Sequence, residues 1–86
     1  MKYTVELRKK ALEDINSLDA AIVHRILKKL NWLKDNFEMI IPEHLKGELK
    51  GLFKLRIGDY RILYTCDYDE KLISIHLIGH RKDIYR

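Results

Sequence analysis

The sequence predicts an α+β domain in the order β-α-α-β-β-β, with an N-terminal helical hairpin packed on one face of an antiparallel sheet. The strongest observation is a strand-like alternation of apolar and polar residues from Phe53 to Ile57, followed by the turn residues Gly58-Asp59 and a second β-rich run from Tyr60. Apolar residues also recur at helical spacing in two earlier segments. The chain has 86 residues, of which 47% are apolar and 35% charged, so residues 1–86 are predicted to form one domain with a small core.

The N-terminal half predicts one strand and two helices. Alternating residues indicate a short strand over Met1–Leu7, and helical spacing indicates a first helix of about two to three turns over Lys9–Leu18. Asp19 is a favourable N-cap for a second helix, which runs from Ala20 to about Asn36. Both helices are amphipathic, so together they can cover one face of a sheet.

Two aromatic residues of this half need an assignment. Trp32 lies at the flank of the apolar stripe of the second helix, and Phe37 follows that helix. We expect both side chains in the core, and neither as a platform on which nucleic-acid bases stack.

The C-terminal half predicts a connector, three strands and a tail. The motif L-K-G-E-L-K-G, Leu45–Gly51, is a basic connector into the central hairpin. A polar turn around Asp69-Glu70 then leads to a last strand over Leu72–Ile78, and the chain ends in the tail Gly79–Arg86.

A two-residue turn in the central hairpin places Arg56 opposite Arg61 on a basic face that also carries Lys54. Like charges opposed across a ladder cost roughly some tenths of a kcal/mol. Guanidinium groups bind phosphate in a bidentate manner, so an anion between them would explain the pattern. The alternative is a solvated face whose arginines point toward water or toward acids on another element.

The last hairpin determines how the tail meets this basic face. If it closes around Asp69-Glu70, Ile78 lies beside Arg61. The tail would then bring three functional side chains close to the basic face, namely His80, Arg81 and Tyr85.

Charge and cysteine content limit the function classes. Seventeen Lys and Arg residues against thirteen acids give a net charge of +4, mostly in the β-rich half, which is consistent with a polyanionic partner. The single cysteine, Cys66, excludes an internal disulfide and indicates a reducing compartment. Neither a signal-peptide pattern nor an apolar run of membrane-spanning length is evident, so we expect a cytoplasmic protein without a membrane partner. His76 and His80 lie on a strand rather than a helix face, and we expect neither a metal nor a cofactor.

The run F-K-L-R-I-G-D-Y-R-I-L-Y and the terminal G-H-R-K-D-I-Y resemble the RelE/ParE superfamily of toxins from toxin–antitoxin pairs. The resemblance extends over the whole chain, including its element order and the L-K-G connector. RelE-like members cut mRNA in the ribosomal A site without a metal, and a ribose 2′-OH attacks the adjacent phosphate to leave a 2′,3′-cyclic phosphate. The resemblance therefore implies a metal-independent endoribonuclease that inhibits translation.

By position, the resemblance implies a set of catalytic residues. Arg61 would stabilise charge on the phosphorane oxygens, and Lys54 would be a general base. Arg81 or His80 would protonate the leaving 5′-oxygen, and Tyr85 would stack on a base or orient the 2′-OH. Arg56 is also implied near the phosphate and would bind substrate. Salt-sensitive binding to RNA is expected from lysines outside the catalytic group, namely Lys28, Lys29, Lys46 and Lys50.

The resemblance leaves alternatives open. Some RelE-like enzymes carry a second lysine two positions before Lys54, where this chain has Leu52. Relatives without a full catalytic set poison DNA gyrase, and a non-catalytic RNA-binding module is a third hypothesis. The implied partners are the ribosome, mRNA and an antitoxin, with which the chain would form a hetero-oligomer.

Overall fold

The computed structural model describes residues 3–45 and 51–84. In chain order its elements are β1 (Thr4–Leu7), α1 (Lys9–Asn16), α2 (Ala20–Asn36), a 3-10 turn (Phe37–Met39), β2 (Glu43–His44), β3 (Phe53–Ile57), β4 (Tyr60–Asp67), β5 (Leu72–His80) and the four-residue helix α3 (Arg81–Ile84). The helices α1 and α2 lie on one face of the sheet, as predicted for the α+β class. The structure adds three short elements that the sequence did not indicate: the 3-10 turn, β2 and α3.

The sheet has five strands in the order β1-β5-β4-β3-β2. The pairs β2–β3, β3–β4 and β4–β5 are antiparallel, whereas β1 and β5 are parallel. The prediction of an antiparallel sheet is therefore right for three pairs and wrong for the fourth. Because β1 and β5 are far apart in the chain, no tight turn forces them to run in opposite directions.

The two long helices follow local sequence signals. The Asp19 carboxylate accepts a hydrogen bond from the Ile22 N–H at 3.1 Å, which confirms Asp19 as the N-cap of α2. The first helix ends at Asn16 instead of Leu18. Ser17 ends it, because both its backbone N–H and its hydroxyl donate to the Asp14 carbonyl.

The core lies between the helices and the sheet. Phe37 is buried there, as predicted, and contacts Tyr3 and Tyr64 with ring centroids 4.9 and 6.1 Å apart. The prediction that Trp32 belongs to the core is wrong, because 42% of this residue is exposed. The helical spacing explains the difference: Trp32 precedes the buried Leu33 by one position and so lies about 100° around the helix from it.

The central hairpin has the predicted register, with Ile57 opposite Tyr60 and Arg56 opposite Arg61. Gly58 adopts a φ of +57°, which a two-residue hairpin turn requires. None of the helices within residues 3–45 and 51–84 is long and apolar enough to cross a membrane.

The last hairpin has a bulge that changes the predicted register by one residue. Leu63 pairs with Leu77 while Tyr64 pairs with Ile75, so His76 is an extra residue in β5. Gly79, and not Ile78, therefore lies opposite Arg61. A shift of one residue reverses the faces of all side chains beyond the bulge.

Candidate active site at the hairpin turn

Arg61 is the most buried cation among the described residues at the end of the central hairpin. Only 7% of this residue is exposed, and its Nη1 donates to the carbonyls of Gly58 and Tyr60, each at 2.9 Å. Its Nε and Nη2 make no hydrogen bond to any residue within 3–45 or 51–84. The guanidinium is thus fixed by the turn backbone while part of its planar donor edge stays available to an anion.

Arg81 meets the same turn from the tail. Its backbone N–H donates to the Asp59 carbonyl at 2.8 Å, and its Nε lies 3.7 Å from Asp59 Oδ1. The side chains of both residues are more than half exposed. A Cβ atom built on Gly79 would lie 3.2 Å from Ile84 Cδ1, so α3 packs closely against the end of β5. The structure therefore brings Arg61 and Arg81 to one turn.

His80 does not lie on the face of Arg61. It pairs with Tyr60, and the two rings contact edge to face with centroids 5.5 Å apart. Its Nδ1 accepts a hydrogen bond from the Lys82 N–H at 3.2 Å. The expectation that the tail brings His80 to the basic face is wrong. Because of the bulge at His76, Gly79 lies on the face of Arg61 and His80 lies on the opposite face.

Lys54 lies on β3 beside Glu43 of β2, and its Nζ is 2.8 Å from Glu43 Oε2. The pKa of Glu43 is lowered, mainly by the hydrogen bond from Lys54 and further by the positive charges of Lys54, Arg56 and Arg61. Sequence reasoning did not identify Glu43, because a two-residue strand directly after Pro42 is too short to show an alternation.

The basic face is only partly open to solvent. Arg56 is exposed, but Arg61 is buried, and Leu63 on the same face is fully buried. The alternative of a solvated face is therefore wrong for Arg61. Arg61 turns toward the turn carbonyls and Arg56 toward solvent, which avoids a direct stack of like charges.

A second polar group occupies this face. Thr65 alternates along β4 with Leu63 and Arg61, and its Oγ1 lies 2.8 Å from His76 Nε2. The pKa of His76 is lowered by burial and by the charge of Arg8. Sequence reasoning considered His76 only as a metal ligand and did not pair it with Thr65 across the last hairpin.

Three predicted site residues, Tyr85, Lys46 and Lys50, lie outside the described residues, as does the start of the predicted first strand. Within residues 3–45 and 51–84, no group of three or more His, Cys, Asp or Glu side chains could hold a metal ion.

Comparison with known proteins identifies the family. Residues 5–85 match a family model described as the ParE toxin of a type II toxin–antitoxin system, parDE. Toxin RelG of Mycobacterium tuberculosis is 31% identical over 86 residues, which cover 100% of this chain and 99% of the relative. A putative toxin RelE1 of Methanocaldococcus jannaschii is 29% identical over 89 residues and covers 100% and 98%.

Comparison with solved structures points to the same family. The toxin–antitoxin complex RelBE2 of M. tuberculosis contains a chain with a TM-score of 0.83 and 28% identity, covering 96% of this chain and 95% of that one. The archaeal RelE–RelB complex of Pyrococcus horikoshii gives a TM-score of 0.75 and 27% identity, with coverage of 96% and 99%. The chain therefore belongs to the RelE/ParE family and is a toxin of a type II toxin–antitoxin system.

Proposed function

We propose that this toxin is a metal-independent endoribonuclease that cuts mRNA on the ribosome. The observation that carries the proposal is the position of Arg61: a nearly buried guanidinium, held by two turn carbonyls, at the turn that also binds Arg81. Two cations at one rigid turn provide a binding site for a single phosphodiester. In the reaction, the 2′-oxygen loses its proton to the general base and attacks phosphorus as the bond to the 5′-oxygen breaks. The 5′-oxygen takes up a proton from solvent, which gives a 2′,3′-cyclic phosphate and a 5′-hydroxyl.

Arg61 would stabilise the negative charge that develops on the phosphorane oxygens. Because the turn already fixes its guanidinium, little reorganisation is needed in the transition state. Arg81, exposed and tethered at the same turn, would stabilise the leaving 5′-oxygen by a charge-assisted hydrogen bond. His80 faces the other side of the sheet, so its role as the acid would need a rearrangement of the tail.

We propose Lys54 as the general base that takes the 2′-OH proton. A carboxylate 2.8 Å away favours the ammonium form, so Lys54 would act as a base only once Glu43 has moved away. Glu43 is the alternative base, because it is unprotonated at neutral pH and lies in the same cationic cluster.

The other implied residues would bind the substrate. Arg56 is exposed beside Lys54 on β3 and is suited to the RNA backbone. For Tyr85, as a residue that stacks on a base or orients the 2′-OH, the proposal rests on the family resemblance. For Lys46 and Lys50 it rests on their charge in the basic connector.

We also propose a cytoplasmic location and a hetero-oligomer with an antitoxin. Two of the similar solved structures are toxin–antitoxin complexes. An acidic or amphipathic segment of the antitoxin would pack on the sheet edge or the helices and block the cationic residues at the turn.

A second function has one observation in its favour. The matched family model is described as a ParE toxin, and ParE-like members of the superfamily poison DNA gyrase. In that case the cations would serve protein or DNA binding and no RNA would be cut.

Expression in a bacterial host distinguishes the two functions. A ribonuclease would halt translation, and primer extension would find cuts within translated codons. A gyrase poison would instead cause double-strand DNA breaks and a DNA-damage response while translation initially continues. Translation that persists in cells with broken DNA would contradict the nuclease proposal.

A further inference from the structure

Trp32 lies exposed among cations on one face of α2. Arg25, Lys28 and Lys29 precede it by seven, four and three positions, which is the spacing of one helix face. The Lys29 ammonium lies 4.0 Å from the centroid of the Trp32 ring, within the range of a cation–π contact. Trp32 is therefore an exposed indole within a cationic patch of α2.

Two adjoining grooves extend from this tryptophan. A groove of about 350 Å³ is lined by Arg25, Lys28, Lys29 and Trp32 and reaches Ile57. Another of about 290 Å³ begins at the same Lys29 and Trp32 and continues to two residues of the candidate active site, Lys54 and Arg56. Because both grooves share Lys29 and Trp32, they form one track that borders β3 from Lys54 to Ile57, beside the hairpin turn.

The chemistry of this track fits single-stranded RNA. Among the described residues that line it, the charged side chains are cationic except for Glu43, which is paired with Lys54. Cations that follow a phosphate backbone, interleaved with an aromatic ring on which a base can stack, are the features that bind single strands without sequence preference.

We propose that an RNA segment flanking the cleaved phosphodiester runs along this track, with one base stacked on Trp32. The inference rests on the proposed function, because that function places the reacting phosphate at the hairpin turn with Arg61 and Arg81. Arg25 extends the track to the hairpin turn, since its Nη2 would lie 2.7 Å from a Cβ atom built on Gly58. Trp32 is thus a binding residue for the strand and takes no part in the chemistry.

Trp32 is the only tryptophan of the chain, so its fluorescence reports on the stack directly. The probe is hexa-adenylate carrying 2′-O-methyl groups, which cannot be cut by 2′-OH attack. Titration of the purified toxin should quench the emission saturably, and the affinity should fall as salt rises. With a fluorescein-labelled probe, Trp32→Ala should weaken binding by about 5- to 150-fold in anisotropy measurements, whereas Trp32→Phe should weaken it less.

Two further variants test the assignment. Tyr68→Ala removes another exposed aromatic residue, in the turn between β4 and β5, and should leave the affinity unchanged. Lys28→Ala should lower the slope of log affinity against log salt by about one. Thermal unfolding of each variant confirms that it is folded.

The RNA track would be overturned if Trp32→Ala bound the probe as tightly as the wild type, or if Tyr68→Ala lost as much affinity. It would also be overturned if Trp32→Ala weakened an antitoxin complex while RNA affinity stayed unchanged, because the surface would then bind protein. The probe cannot be cut, so the outcome is independent of catalysis. Trp32-dependent binding by a chain that cuts no mRNA would support the track and contradict the nuclease proposal.

Discussion

Arg81 is joined to Asp59 by a backbone hydrogen bond of 2.8 Å and by a side-chain ion pair of 3.7 Å. The first contact fixes where the tail leaves the sheet, and the second orients the guanidinium. Since Gly58 and Tyr60 hold Arg61 from the same turn, three consecutive residues of the hairpin, Gly58–Tyr60, organise both arginines. The hairpin turn, more than the tail itself, thus determines the geometry of the site.

Asp59→Asn should remove the side-chain ion pair and keep the backbone hydrogen bond. The ion pair is exposed, so its loss should change the free energy of unfolding by less than about 1 kcal/mol. The backbone bond persists, but the Arg81 side chain loses its orientation, and we expect the cleavage rate to fall about tenfold. Asp69→Asn removes the same charge from the other turn and is the control in the cleavage assay. Equal rates for the two variants would show that Asp59 does not position Arg81.

Glu43→Gln should strengthen RNA binding, because the carboxylate competes with a phosphate for Lys54. A gain of up to about fivefold is expected for an exposed pair, measured by anisotropy with the uncleavable probe. If the cleavage rate of Glu43→Gln falls while its RNA affinity rises, Glu43 is the general base. If the cleavage rate is unchanged, Lys54 is the general base. Glu70→Gln is the charge-matched control, and weaker binding by Glu43→Gln would contradict the competition.

The effect of Glu43→Gln on stability should depend on pH. The pKa of Glu43 is lower in the folded chain than its ordinary value of 4.5, because Lys54 donates to it. Its contribution to stability is therefore full above pH 4.5 and is lost as the pH falls through the lowered pKa. The difference in Tm between wild type and Glu43→Gln should shrink toward zero on acidification, as followed by circular dichroism. A Tm difference that grows as the pH falls would contradict the ion pair between Glu43 and Lys54.

Tyr64→Phe should stabilise the fold. The Tyr64 hydroxyl is buried without a hydrogen-bond partner in the part of the chain that the structure describes, and burial raises its pKa. Removing an unsatisfied group keeps the ring contacts with Phe37 and Phe53 and should raise the free energy of unfolding by about 1 kcal/mol in urea denaturation. Tyr64→Leu, which loses those ring contacts, should instead destabilise. A less stable Tyr64→Phe variant would show that the hydroxyl has a partner.

The sequence predicted the features that local interactions determine. The hairpin register follows from a two-residue turn, and the start of α2 follows from the Asp19 cap. Both depend on residues within a few positions of each other. Arg61 and Arg81 could therefore be assigned to one region, although not to one turn.

Features that depend on tertiary packing were missed. The bulge at His76 has no local signature, yet it exchanges His80 for Gly79 on the face of Arg61. Glu43 reaches Lys54 through a pairing of only two residues, and β1 joins β5 across most of the chain. The exposure of Trp32 likewise depends on which side of α2 meets the sheet.

The most direct test of the central claim uses purified translating ribosomes with a defined mRNA. Wild-type toxin should cut within codons in the presence of a metal chelator that leaves the ribosomes intact, and the upstream fragments should carry 2′,3′-cyclic phosphates. Arg61→Ala should cut at least about 100-fold more slowly, while Arg8→Ala, which removes an exposed arginine from the opposite edge of the sheet, should cut at the wild-type rate. Folded Arg61→Ala that cuts as fast as Arg8→Ala would contradict the account.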